Sequence, residues 1–193
     1  ELFGDDSLKG RTITVQGLGK VGYSLVGHLV AEGAKVIACD INQENVDRAV
    51  KEYGIKTVSP DKIVETECDI FSPCAMGAVF NDDSIPRLKC KGITGAANNQ
   101  LAEPRHGEML HKRGILAAPD FVANAGGLIQ VCDELEGYNK ERAFRKTAMI
   151  YDRILNIFAI AKEQNITPYE AANHIVAERI ETIGRIRRNY TGK

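Results

Sequence analysis

The sequence predicts an α/β fold, a doubly wound parallel sheet with a C-terminal helical extension, on three observations. Short β-branched or apolar runs alternate with longer helical patterns, the mark of βαβ units around a parallel sheet. A glycine-rich turn directly follows the first run, and from Lys140 the pattern becomes long helix with no further strand.

The first strand is Thr12-Ile13-Thr14-Val15. Beyond the turn, Val21, Leu25, Leu29 and Val30 recur at helical spacing and predict one buried helix face, which Gly33 ends as a C-terminal glycine. Lys35–Cys39 is the second strand, closing at Asp40. A polar helix is predicted over Gln43–Tyr53, a short strand over residues 56–58 and a helix after Pro60. Buried strands follow at Asp69-Ile70-Phe71-Ser72, Gly92-Ile93-Thr94 and Leu116-Ala117-Ala118. The segments after them are Pro73-Cys74-Ala75, Gly95-Ala96-Ala97-Asn98-Asn99 and Pro119-Asp120. They lie outside the carboxyl ends of the strands, where open α/β sheets bind ligands.

In the helical part, Ile150, Ile154, Ile157, Phe158 and Ala161 form an apolar stripe. Thr167 then reads as an N-cap, Pro168 as the first helical residue and Glu170 as the partner in a capping box. The last helix is rich in Glu and Arg and ends in Arg185, Arg187 and Arg188. The predicted organisation is a domain over residues 1–166 and a helical tail over residues 167–193.

The 193 residues carry 25 basic and 26 acidic side chains, a net charge of -1, with no run of like charge. This argues against a nucleic-acid binder. No uninterrupted apolar run is long enough to span a membrane and no signal-peptide pattern opens the chain, so the expected location is the cytoplasm. The five cysteines include no C-x-x-C pair and the four histidines are scattered; no metal is expected and the thiols are expected to be reduced. Small-molecule chemistry remains. The chain begins at Glu1 rather than Met, which fits an excised segment.

Gly17-Leu18-Gly19-Lys20-Val21-Gly22 matches G-x-G-x-x-G between a predicted strand and a predicted helix, with Asp40 at the end of the next strand. That context is the dinucleotide fingerprint of a Rossmann domain. Gly17 allows the tight turn, Gly19 lets a pyrophosphate approach the backbone and Gly22 lets helix and strand pack closely. Unpaired N–H groups and the helix dipole favour the negative charge. Lys20 reads first as a solvated first-turn residue and, with Val21, belongs to the segment expected to hold the cofactor. The Asp40 carboxylate accepts from ribose hydroxyls and repels a 2′-phosphate by roughly 4 kcal/mol at 4 Å for an effective dielectric constant near 20. NAD is therefore expected over NADP.

These segments, with those that follow, resemble the cofactor-binding half of the Glu/Leu/Phe/Val dehydrogenases. The matching stretches include Gly4-Asp5-Asp6-Ser7-Leu8, Asp40-Ile41-Asn42, Cys68-Asp69-Ile70-Phe71 and Asn99-Gln100-Leu101. Glu103-Pro104-Arg105-His106-Gly107, Asn124-Ala125-Gly126-Gly127, Asp133-Glu134-Leu135, Gly137-Tyr138-Asn139 and Glu178-Arg179-Ile180 carry it to the tail. The resemblance implies reversible oxidative deamination of a branched-chain or aromatic L-amino acid to a 2-oxo acid and ammonia, with hydride passed to NAD. It implies that Gly17, Gly19 and Gly22 hold the pyrophosphate, and that Asp40, Ile41 and Asn42 hold the adenosine, whose side Pro73, Cys74 and Ala75 line. Ala96, Ala97 and Asn98 run under the nicotinamide ribose, and Asn124 contacts the nicotinamide end. Asn99 orients the substrate, and Leu128 and Val131 line its side-chain pocket.

Plainer readings stand beside these. By their own pattern Leu128 and Val131 read as ordinary core, Asn98-Asn99 as a turn, and Cys74 as a small lining residue with no base near it in sequence. Arg105 and His106 are catalytic residue types, with a helix-start or surface role as the competing reading. The resemblance also implies two lysines and an aspartate on a separate, preceding substrate domain. Nothing here matches its G-G-G-K segment. The expectation is a chain that binds NAD without turnover and meets the amino or oxo acid through that other domain, with a stand-alone NAD-binding or sensing module as the alternative. A reading frame continuing upstream through a lysine-bearing domain would separate the two. Without that partner, Ala171, Ile175, Ile180 and Ile183 of the last helix are expected to be partly exposed or buried in a homo-oligomer.

Overall fold

Six strands, β1 (Thr12–Gln16), β2 (Lys35–Cys39), β3 (Lys56–Thr57), β4 (Ile70–Pro73), β5 (Gly92–Ile93) and β6 (Leu116–Ala117), form one parallel sheet. Their order is β3-β2-β1-β4-β5-β6. The computed structural model describes residues 1–188. Strand order reverses between β1 and β4, the switch point at which a doubly wound sheet opens a crevice. The register brings the carboxyl ends level, with Gln16 opposite Cys39 on one side and Pro73 on the other. The loops leaving β1, β2 and β4 therefore emerge side by side.

Helices α1 (Lys20–Ala31) and α2 (Gln43–Tyr53) cover β1 and β2 through a core of Val15, Val26, Leu29, Val36, Ala38 and Ala49. A second core, with Phe71, Phe80, Ile85, Ile93 and Leu110, joins β4–β6 to α3 (Arg105–Lys112). Successive residues of β4 face opposite ways: Ile70 packs on the first core and Phe71 belongs to the second, as the period of a strand requires. Then come α4 (Asp120–Ala123), α5 (Gly126–Leu135), α6 (Lys140–Gln164) and α7 (Pro168–Arg188). A third core of Ile157, Ala161, Ala171 and Ala172 ties α6 to α7, with Val122 of α4 against it.

The expected strands all form, each within a residue or two of its predicted bounds. Val58 is not in β3, though its N–H still reaches Ala38 O at 3.1 Å. The helix expected after Pro60 is only a 3-10 turn, Ile63–Glu65. β-Branched Ile63, Val64 and Thr66 disfavour helix there, and burial of Ile63 fixes one turn without room to propagate. Val21, placed on the buried face of the first helix, is 59% exposed because the first turn of α1 stands at the mouth of the glycine loop; Gly22, Val26 and Leu29 form the buried face.

The capping box at α7 is complete: Glu170 Oε2 accepts the Thr167 N–H at 2.8 Å and Thr167 Oγ1 accepts the Glu170 N–H at 3.2 Å. Ala171, expected to be partly exposed, is wholly buried, because the start of α7 packs back onto α6. Beyond it Ile175 is half-buried, and Val176, Ile180 and Ile183 are exposed. Residues 189–193 of the expected tail, and the side chains of Arg187 and Arg188, lie outside the described residues. No described helix is long and apolar enough to cross a membrane.

Candidate functional site

The three glycines of the turn differ in what surrounds them. Gly17 has φ of +100°, and a Cβ there would lie 2.9 Å from the Ala75 side chain. A Cβ on Gly22 would lie 2.0 Å from Gly17 O and 3.2 Å from Cys74 Cβ, so helix, turn and the loop after β4 meet with no room for a methyl group. At Gly19 the space is open, and a Cβ would meet nothing within 4 Å. Gly19 is also the N-cap of α1, which has no side-chain cap and no acid in its first turn. Lys20 and Val21 are both exposed on that turn. The result is an open helix N-terminus suited to an anion.

Asp40 stands at the edge of this turn. Its Oδ2 accepts the Leu18 N–H at 2.5 Å and its Oδ1 accepts the Asn42 N–H at 2.8 Å. Asn42 in turn caps α2 by accepting the Glu44 N–H at 2.9 Å. Between them Ile41 is 94% exposed, an apolar surface held out at the end of β2. Across the switch point, Pro73 is buried, Cys74 half-buried and Ala75 exposed, and Cys74 N–H bonds Gln16 O at 2.7 Å.

The 95–99 loop lies against the same strand end. Ala97 N–H bonds Pro73 O at 2.9 Å, and a Cβ on Gly95 would lie 2.4 Å from that same oxygen. Asn124, just past α4, donates through Nδ2 to Asn98 Oδ1 at 2.6 Å. The reading of Asn98-Asn99 as a turn fits the backbone, since Asn99 has φ of +51°, in the region where Asn is among the few side chains tolerated. Leu128 and Val131 share a face of α5 but are 67% and 58% exposed. They are not core positions, and α5 presents them as an apolar surface.

The Glutamate/Leucine/Phenylalanine/Valine dehydrogenase family model matches residues 40–185. The chain belongs to that family. It is 57% identical over 190 residues to a leucine dehydrogenase of Thermoactinomyces intermedius, covering 98% of this chain and 52% of the relative. It is 50% identical over 189 residues to a phenylalanine dehydrogenase of the same organism, covering 97% and 52%. The crystal structure of L-tryptophan dehydrogenase from Nostoc punctiforme superposes with a TM-score of 0.91 at 42% identity, covering 94% of this chain and 55% of that one. The chain spans about half the length of the relatives it matches.

Two supports of the 95–99 loop are not among the residues expected to hold cofactor or substrate. Gln100 is fully buried, and its Nε2 donates to Gly95 O at 3.1 Å and to Ala97 O at 3.0 Å. Its main-chain N–H donates to Oδ2 of the buried Asp120 at 3.1 Å. A polar residue in a loop looks alike in sequence whether it faces water or the interior, so only its position beside the Asn-Asn pair marks it.

Arg105 and His106 take part in a separate cluster. Arg105 forks onto Asp82 at 2.5 and 2.7 Å and reaches Glu103 at 2.9 Å. Buried His106 accepts the Glu103 N–H at Nδ1, which leaves the ring proton of the neutral imidazole on Nε2, 3.5 Å from Asp82. Asp82, Glu103 and His106 lie close enough to share an ion, but the Arg105 guanidinium already occupies the carboxylates and the ring nitrogen facing them bears a proton. Among the thiols, burial pushes Cys39 up to about 11 and Cys90 up to about 12, away from nucleophilic use.

Proposed function

We propose that this chain is the NAD-binding half of an L-amino-acid dehydrogenase that reversibly deaminates a branched-chain or aromatic amino acid to a 2-oxo acid and ammonia. The observation that carries this reading is the pairing of an open, acid-free helix N-terminus at Gly19 with Asp40 tied to the same turn. A dinucleotide fits these residues. Its pyrophosphate meets the α1 N-terminus across Gly17, Gly19 and Gly22, beside Lys20 and Val21. Its adenosine ribose reaches Asp40, and its adenine lies on Ile41 near Asn42, with Pro73, Cys74 and Ala75 along the other wall.

When bound, NAD supplies the hydride acceptor. The chain's own part is to orient it: Ala96, Ala97 and Asn98 support the nicotinamide ribose, Asn124 holds the nicotinamide end, Asn99 orients the substrate, and Leu128 and Val131 wall its side chain. None of these groups is a general acid or base, a role commonly worth about 10²–10⁴ in rate. The isolated chain therefore binds NAD with negligible turnover, the amino acid being met through the half that the longer relatives possess. A cytoplasmic homo-oligomer is the expected setting.

Calorimetric titration of the chain with NAD and NADP, beside an Asp40→Ala variant, tests this reading. The unmodified chain should prefer NAD at least about tenfold, and Asp40→Ala should narrow the gap. Equal binding of both cofactors would count against the role given to Asp40. Saturable deamination by the 193-residue chain would overturn the assignment of acid-base chemistry elsewhere.

A further inference from the structure

Gln100 is a buried amide with one unmet acceptor and two bonded donations. Its side chain is wholly buried, yet Oε1 has no hydrogen-bond partner. An apolar residue there would remove the orphan Oε1 but also take the Gln100 donor from two carbonyls, so the glutamine is kept for its amide N–H groups. The need is visible in the two bonds from Nε2, which satisfy the carbonyls of Gly95 and Ala97 and hold them in a fixed relation. These bonds also fix the amide, since a flip would set Oε1 against two carbonyl oxygens.

The main chain of Gln100 is anchored as firmly. Its N–H goes to the Asp120 carboxylate at 3.1 Å and its carbonyl accepts the Phe80 N–H at 3.0 Å. The neighbouring Asn99 carbonyl accepts the Ala78 N–H at 2.7 Å. With Asn124 on Asn98, the loop is gripped at both ends and at its middle.

We infer that Gln100 is a positioning residue for the nicotinamide end of the cofactor, acting through the 95–99 loop. The inference rests on the cofactor reading above. Gln100 touches no reacting group; it sets the carbonyls between which Ala96 and Ala97 are held, and thereby the path of Asn98 and Asn99. Loss of its amide should then affect a ligand that carries the nicotinamide and its ribose and spare one that carries neither.

The test compares NAD with ADP, which shares the adenosine and pyrophosphate but lacks both the nicotinamide and its ribose, on the full chain and on Gln100→Met. Methionine has similar length and flexibility without the donors. The NAD dissociation constant should rise about tenfold, as expected when one buried and one half-buried carbonyl lose this donor, while that of ADP should stay within about twofold. Equal losses for both ligands, or no loss for either, overturn the inference and leave the cofactor reading standing. Failure of the unmodified chain to bind NAD overturns both. A second measurement needs no variant: NAD should slow hydrogen exchange across residues 96–99 more than ADP does at equal saturation. Equal protection by the two ligands overturns the placing of the nicotinamide end on this loop and, with it, the role given to Gln100.

Discussion

Asp40 and Leu18 are joined by a 2.5 Å hydrogen bond from the Leu18 main-chain N–H to Asp40 Oδ2, which ties the glycine turn after β1 to the end of β2. The carboxylate's other oxygen accepts from Asn42 at 2.8 Å. Asp40 thus has a structural duty in addition to any contact with ribose. Asp40→Asn leaves one acceptor and turns an NH2 toward one of the two N–H donors. It should lower stability by about 1 kcal/mol, the low end for an unmet donor because the pair is only half-buried. Thermal unfolding should report a midpoint about 2–4 °C lower for a chain of this size; an unchanged midpoint would show that the link carries no weight.

The turn glycines should separate folding from binding. Gly22→Ala forces a methyl group to 2.0 Å from Gly17 O, and overpacking of this kind costs about 1–3 kcal/mol. Gly19→Ala meets nothing within 4 Å and keeps an ordinary extended backbone with φ of -66°. Its melting point should match the unmodified chain while its NAD affinity falls about tenfold or more, because the methyl group stands where the proposed pyrophosphate contact lies. Normal NAD binding by Gly19→Ala would remove the pyrophosphate from this turn.

Acid stability should depend on Asp133. This wholly buried carboxylate accepts from Arg142 Nε at 2.5 Å and from the Asn139 N–H at 2.7 Å, stapling α5 to α6. The Arg142 hydrogen bond, followed by that from Asn139, holds its carboxyl down at about 2, below the usual value of about 3.9. A pKa lowered by folding means stabilisation that is complete above about pH 4 and is lost as the pH falls through about 2. Asp133→Asn should therefore melt below the unmodified chain near neutral pH, with the difference closing toward pH 2. A difference of the same size at both pH values would contradict the assignment.

Leu128 and Val131 offer a contrast between surface and core. As core residues, their truncation to alanine would cost about 2–5 kcal/mol for the leucine and somewhat less for the valine. Because α5 exposes both, denaturant unfolding of the double alanine variant should agree with the unmodified chain to within about 0.5 kcal/mol per site. A loss of core magnitude would mean that in solution this face is covered by another part of the chain or by a second copy.

Much of the site is legible in local pattern. The G-x-G-x-x-G spacing announces the turn, in which Gly17 and Gly22 leave no room for a side chain, and Asp40 is found by counting to the end of the next strand. Asn98-Asn99 reads as a turn, and Asn99 does adopt positive φ. Burial at loop positions is not legible in the same way. In sequence, Gln100 and Asp120 are indistinguishable from surface polar residues, and the spacing of Leu128 and Val131 is that of core.

Residue spacing alone carries the strand succession, the helices after the glycine turn, over residues 43–53 and from Lys140 onward, and the form of the glycine turn; the family rests on the matching stretches, and α3 and α4 are not among the expected elements. Which side chains close the site is a matter of three-dimensional packing: Cys74 against Gly22, Gln100 beneath the carbonyls of Gly95 and Ala97, Asp120 on the Gln100 N–H, and Asn124 on Asn98. Apolar periodicity is a local property, set by the pitch of a helix or the pleat of a strand. The partner of a buried polar group is set instead by how the sheet brings distant loops to one edge, and a buried amide or carboxylate must find that partner wherever the topology leaves it.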